Sequence, residues 1–142
     1  MSNLINLLDT YKGEKRKLYP LTPSQMGVYL SCMHNPKGTM YNIPCTYVFD
    51  SGSLDTDRLI NAVRKAVDNH PVMKIFIDNS TGSPMMKPRD SVEFDIPVVQ
   101  VDNLEQAGKD FVKPFELEKD VLFRFAVFDA VTNLCLQWIF TT

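Results

Sequence analysis

The sequence predicts a layered domain of the α/β or α+β class. Three observations carry this expectation. The 142 residues, 44% hydrophobic and 23% charged, are the size of one domain able to bury a core. Segments with a helical repeat are interleaved with short segments of strand character. The last two apolar runs, "VLFRFAVFDA" and "NLCLQWIFTT", sit about a short link, as the arms of a hairpin do.

Taken in order, Leu4, Leu7, Leu8 and Tyr11 fall at helical spacing, so Asn3 to Tyr11 predict a short amphipathic helix, followed by the charged link "KGEKRK". Residues 1–18 thus form an N-terminal helix and linker ahead of a body over 19–142. Such a helix either packs on its own domain or docks another protein. In "YPLTPSQMGVYLSCMHNP", Thr22 is a good N-cap, Pro23 suits the first helical position and Gln25 completes a capping box. Met26, Tyr29, Leu30 and Met33 predict the apolar stripe of that helix, and Asn35-Pro36 its end. Ile43, Cys45, Tyr47 and Phe49 then alternate as in a strand, with Pro44 near its beginning or edge and a turn at Gly52.

The strongest helix is "SLDTDRLINAVRKAVDNHP". Asp55 or Thr56 caps it, Leu59, Ile60, Val63, Ala66 and Val67 face inward, Arg64 and Lys65 face outward, and Pro71 ends it. "VMKIFI" and "SPMMKP" predict short strands about the turn-rich "DNSTG", and "FDIPVVQV" another strand. "NLEQAGKDFV" reads as a helix with Leu104, Ala107 and Phe111 inside. From Leu134 to Phe140 the alternation is that of a half-buried strand, and it runs into the final residues without a turn or cap.

A net charge of −2 speaks against an electrostatic grip on nucleic acid or an anionic membrane. Cys32, Cys45 and Cys135 are odd in number and lack a CxxC spacing, which points to reduced thiols in a cytoplasmic protein rather than a metal or disulfide framework. The first residues have the wrong charge order for a signal peptide, and no apolar run is long enough to span a bilayer.

Catalytic constellations are scarce: GxSxG, a phosphate loop and HExxH are all missing. His34 ends a helix, where a cation meets the carbonyl dipole. His70 either caps the long helix or acts as a general base, a role that needs an orienting partner and an accessible cleft. Lys74, the one charge in "VMKIFI", either points to solvent or meets a buried carboxylate.

Three segments together resemble the condensation domains of nonribosomal peptide synthetases, in the chloramphenicol-acetyltransferase-like superfamily. "LTPSQMGVYLS" is similar to the motif SxAQxR(L/M)(W/Y)xL at Thr22, Ser24, Gln25, Val28 and Tyr29, departing at Gly27 and Ser31. "NHPVMKIFI" is similar to RHExLRTxF at His70, Met73 and Lys74, departing at Asn69, Pro71 and Ile75. "KPFELEKDVLFRFAVF" is similar to the family's PF-[D/E]-L turn and the strand behind it, whose buried arginine would be Arg124.

The resemblance implies a mixed sheet with about three helices packed on it, the N-terminal subdomain of that fold. It implies a parent that joins carrier-bound acyl or peptidyl donors to aminoacyl acceptors as amides. The family's HHxxxDG motif would follow the last strand, so the chain is expected to be a piece cut before the catalytic histidine and inactive alone. Gln25, Tyr29, His70, Lys74 and Arg124 become braces of the active site, with Lys74 at a position that pairs with the HHxxxDG aspartate. No cofactor would bind directly, but phosphopantetheine arms of peptidyl carrier proteins, and adjacent synthetase domains, would be partners. The alternatives are a non-catalytic docking module and a related acyltransferase acting on alcohols or amines. A strand that has lost its neighbours would leave an open edge or face, with dimers or aggregation expected through Leu134 to Phe140.

Overall fold

The computed structural model describes residues 18–50 and 52–141, so the expected helix at Asn3 to Tyr11 lies outside the described residues. Helix α1 (Pro23–His34) starts where its local chemistry dictates. The Thr22 side chain accepts from the Gln25 amide at 3.3 Å and Gln25 Oε1 accepts from the Thr22 amide at 2.9 Å, satisfying orphan donors at both ends of the capping box. Its buried side differs from the expected stripe. Met26, Tyr29 and Cys32 pack inward, while Leu30 and Met33 are 58% and 41% exposed. Both sets obey helical spacing; the buried one is chosen by what lies beneath.

Strand β1 (Tyr19–Pro20) precedes α1, and β2 (Asn42–Asp50), α2 (Thr56–Asn69), β3 (Ile75–Asp78), β4 (Met85–Pro88), β5 (Val98–Gln100), α3 (Leu104–Phe111), β6 (Phe123–Asp129) and β7 (Asn133–Thr141) follow it. They build a three-stranded sheet, β1-β4-β3, and a four-stranded sheet, β2-β7-β6-β5. All pairs are antiparallel except β5 with β6, so the larger sheet is mixed, with α3 as the crossover. Gly52 and Gly82 take φ of +78° and +79° in turns that exclude most side chains.

The Asp55 carboxylate caps α2 through the Arg58 amide at 3.0 Å. Val63 and Val67 are buried against Phe123, Phe125, Val127, Leu134 and Leu136, with Leu59 and Ile60 half-covered beside them. Ala66, expected inside, is exposed. Leu104, Ala107 and Phe111 of α3 pack on Ala126, Phe128 and Cys135, as expected. Alternate residues of β6 and β7 therefore feed cores on opposite faces, one under α2 and the other under α3.

This overturns the picture of the last strand as half-buried with an open edge. β7 is central, paired with β2 on one side and β6 on the other, and Leu134 through Gln137 are all buried. Its one buried polar side chain, Gln137, donates to the Gly108 carbonyl of α3 at 3.3 Å. Self-association through Leu134 to Phe140 has no edge to use; among the described residues the open edges of the larger sheet belong to β2 and β5. Two further strands are shorter than expected. Pro71 opens a 3-10 turn over Pro71–Lys74, so Lys74 precedes β3 instead of lying within a strand. In "FDIPVVQV" only Val98–Gln100 pairs, because Pro97 has no amide to donate and the chain reaches β6 first through the Pro97 carbonyl, which accepts from Val127.

Candidate functional site

A cavity of about 400 Å³ opens between α1, the 3-10 turn, the smaller sheet and the loop that leads into β6. Its walls are mostly apolar, with Leu21, Met73, Ile77, Met86, Leu117 and Leu122 prominent, and Phe140 and Thr141 place the end of β7 at its side. Gln25, Tyr29 and His70 supply polar groups to the lining. Three of the five expected brace residues thus converge from α1 and the end of α2.

Tyr29 is 6% exposed and donates its hydroxyl to Glu118 Oε1 at 2.5 Å, tying α1 to the loop. Burial, then Glu118 as acceptor and neighbouring charge, push the phenol up to about 12, so it stays a proton donor. Glu118 also accepts from Asn79 Nδ2 at 3.2 Å. The strap joins α1, the β3–β4 turn and the loop. Gln25 uses its oxygen on the capping box and directs Nε2 to the Met86 sulfur at 3.6 Å. His70 Nδ1 lies 2.7 Å from the Ala66 carbonyl. A carbonyl only accepts, so Nδ1 is the donor in this contact, which ties the ring to the last turn of α2. Both an orienting partner and an adjoining cleft are therefore present.

Lys74 and Arg124 lie outside the lining. Lys74 Nζ donates to the Asp68 carbonyl at 2.9 Å, where the C-terminal end of α2 favours a cation; this is neither the free solvent position nor the buried carboxylate weighed from sequence. Arg124 is 29% exposed at its side chain. It donates to the Lys113 and Pro114 carbonyls, both at 2.7 Å, and to Asp120 at 3.1 Å. Its guanidinium carbon stands 3.9 Å from the Phe115 ring centre. Arg124 thus folds the loop that presents Leu117 and Leu122 to the cavity.

Glu118 and Asn79 escaped the sequence reading. Both lie in turns, where no periodicity singles out a functional side chain. Burial raises the Cys32 and Cys135 thiols, so neither is an activated nucleophile. Among the described residues no cluster of His, Cys, Asp and Glu has the makings of a metal site, and no helix is long and apolar enough to cross a membrane. Chemically, the arrangement offers an apolar chamber with an oriented imidazole and a phenol–carboxylate strap.

A family model described as Condensation domain matches residues 15–140. The chain belongs to the condensation-domain family. Bacitracin synthase 2 of Bacillus licheniformis is 30% identical over 118 residues, 82% of this chain and 4% of that protein. Surfactin synthase subunit 2 of Bacillus subtilis (strain 168) is 28% identical over 108 residues, 75% of this chain and 3% of that protein. The starter condensation domain of rhizomide synthetase has the same fold, with a TM-score of 0.75 at 18% identity, covering 88% of this chain and 34% of that one. A holo four-domain nonribosomal peptide synthetase bound to AMP and glycine aligns at a TM-score of 0.75 and 14% identity, over 90% of this chain and 10% of that chain. This condensation-domain chain therefore spans a small share of the curated relatives and about a third of the matched starter domain.

Proposed function

We propose that residues 19–142 serve as the N-terminal subdomain of a synthetase condensation domain that joins a carrier-bound acyl or peptidyl donor to a carrier-bound amine. The match of residues 15–140 to the family carries this reading. In the reaction the amine attacks the donor thioester, a C–N bond forms, the C–S bond breaks, and the amine's proton passes to a base. Among these 142 residues there is no HHxxxDG, and in this reading the base is supplied by another part of the synthetase. This chain contributes a wall.

In this reading Gln25, Tyr29 and His70 shape the chamber directly, while Lys74 and Arg124 act as positioning residues through α2 and the loop. The apolar lining suits the hydrocarbon of an acyl group delivered on a phosphopantetheine arm. Peptidyl carrier proteins and neighbouring synthetase domains are the partners, in the cytoplasm. The test loads the synthetase containing this segment with donor and acceptor and follows the acceptor arm by mass spectrometry. An amide-linked product is expected. An ester on a hydroxyl acceptor would favour a related acyltransferase, and carrier binding without transfer would favour a docking module; either overturns the proposal.

A further inference from the structure

Strand β2 is 9 residues long and, among the described residues, is paired on one side only, by β7. The alternation of antiparallel ladders fixes which of its peptide groups are unused. Asn133 and Ala130 exchange both backbone hydrogen bonds at the β6–β7 turn, and Thr141 donates to the Leu122 carbonyl. Asn133, Cys135, Gln137, Ile139 and Thr141 therefore turn their peptide groups toward β6. Their partners across the other ladder, Asp50, Val48, Thr46, Pro44 and Asn42, turn theirs away from β7 to the open edge. Pro44 belongs to this outward set, so its missing N–H costs the β7 ladder nothing.

The two ends of the edge are satisfied within the chain. The Asn42 amide donates to the Thr39 carbonyl at 3.0 Å, and the Asp50 carbonyl accepts from the Ser53 amide at 3.1 Å and from Ser53 Oγ at 2.6 Å. Among the described residues, what remains is the Asn42 and Pro44 carbonyls, both groups of Thr46 and Val48, and the Asp50 N–H. This set is its own complement when the strand is turned about Thr46. Thr46 meets Thr46 and exchanges both bonds. The Val48 N–H meets the Pro44 carbonyl, and the Asp50 N–H meets the Asn42 carbonyl. Only the Val48 carbonyl is left over, opposite the proline that has no donor.

The side chains agree. Asp50 comes opposite Asn42 instead of another carboxylate, and the strand carries no Lys or Arg to repel a neighbour. Tyr47, Val48 and Ile43, exposed by 58%, 52% and 47%, gain cover on the two faces of the joined sheet. We propose that β2 pairs antiparallel with β2 of a second copy of this chain about a two-fold axis at Thr46, making one continuous sheet from two.

The test is sedimentation velocity on a dilution series of the 142-residue chain, with residue-resolved amide exchange at its dilute and concentrated ends. A concentration-dependent dimer is expected in which the Thr46, Val48 and Asp50 amides slow down on association. The Cys45 and Tyr47 amides, already turned to β7, exchange slowly at both ends. Thr46→Lys sets two ammonium groups opposite each other and weakens the dimer by about fivefold, an effect reduced by salt. A chain that stays monomeric at several hundred micromolar overturns the proposal. So does a dimer whose Thr46 and Val48 amides remain fast, a readout on the unmodified chain that holds even where the lysine variant fails to fold.

Discussion

Replacing Tyr29 by Phe removes one oxygen atom and with it the strap between α1 and the loop that closes the cavity. The hydroxyl lies 2.5 Å from Glu118 on a side chain that is 6% exposed. A hydrogen bond to a charged partner contributes about 1.5–3 kcal/mol. Glu118 keeps its bond from Asn79 at 3.2 Å and is itself exposed, so it is not stranded, and the loss should fall near the low end, about 1.5 kcal/mol. For a chain of this size that is a fall in Tm of roughly 3–6 °C. The pH dependence has a definite sign. The folded phenol is raised from 10.0 to about 12, so the contribution is complete below pH 10 and is lost as the pH climbs toward 12. Urea unfolding of both proteins at pH 7, 10 and 11, followed by circular dichroism, should show a gap that narrows across the last interval. Equal stability at pH 7, or a gap unchanged at pH 11, would refute the strap.

Arg124→Lys keeps the charge but loses the fork that spans the Lys113 and Pro114 carbonyls, and should cost about 1–3 kcal/mol in urea unfolding; a lysine variant as stable as the parent would sink the bracing role. Asp78 is held down to about 2, first by hydrogen bonds from Ser80 and then by Lys87. Its contribution is therefore present above the ordinary carboxylate value and is lost as the pH falls from about 4 to 2, and Asp78→Asn should flatten that part of an acid titration. Gly82→Ala meets no atom within 4 Å but inherits a φ of +79°, so its cost, about 1 kcal/mol, should be purely conformational and partly recovered by Gly82→Asn.

Local signals were the readable ones. The capping box at Thr22 and Gln25, the Asp55 cap and the hairpin of β6 and β7 depend on residues near one another in sequence, and all three form as expected. What failed depends on neighbours far along the chain. Leu30 and Met33 are as good a stripe as Met26 and Cys32 until Phe115, Leu117 and Ile139 decide which side is covered. The run Leu134-Cys135-Leu136 was itself a hint that β7 is covered on both faces, but Gln137 disguised it as alternation; its amide is buried only because Gly108 brings the α3 backbone close. At the site, the motif resemblance singled out Gln25, Tyr29 and His70 without showing that they share a cavity. Glu118 carried no periodic or motif signal, since its role depends on a tyrosine in another element.

The place of β7 at the centre of the larger sheet also sets a clock for the newborn chain. β2 is synthesised early, yet its partner arrives late: Asn42 pairs with Thr141 and Asp50 with Asn133. At the usual pace of translation that separation is a wait of roughly 5–20 s. During it β2 has no strand on either side, and α2 emerges with no core to sit on. Once β6 and β7 emerge as a fast local hairpin, β2 and β5 can join from opposite flanks almost together. A ribosome paused before Asn133 would thus hold a chain with its helices made and its main sheet unbuilt, and that interval is when a chaperone or protease has its best purchase on this protein.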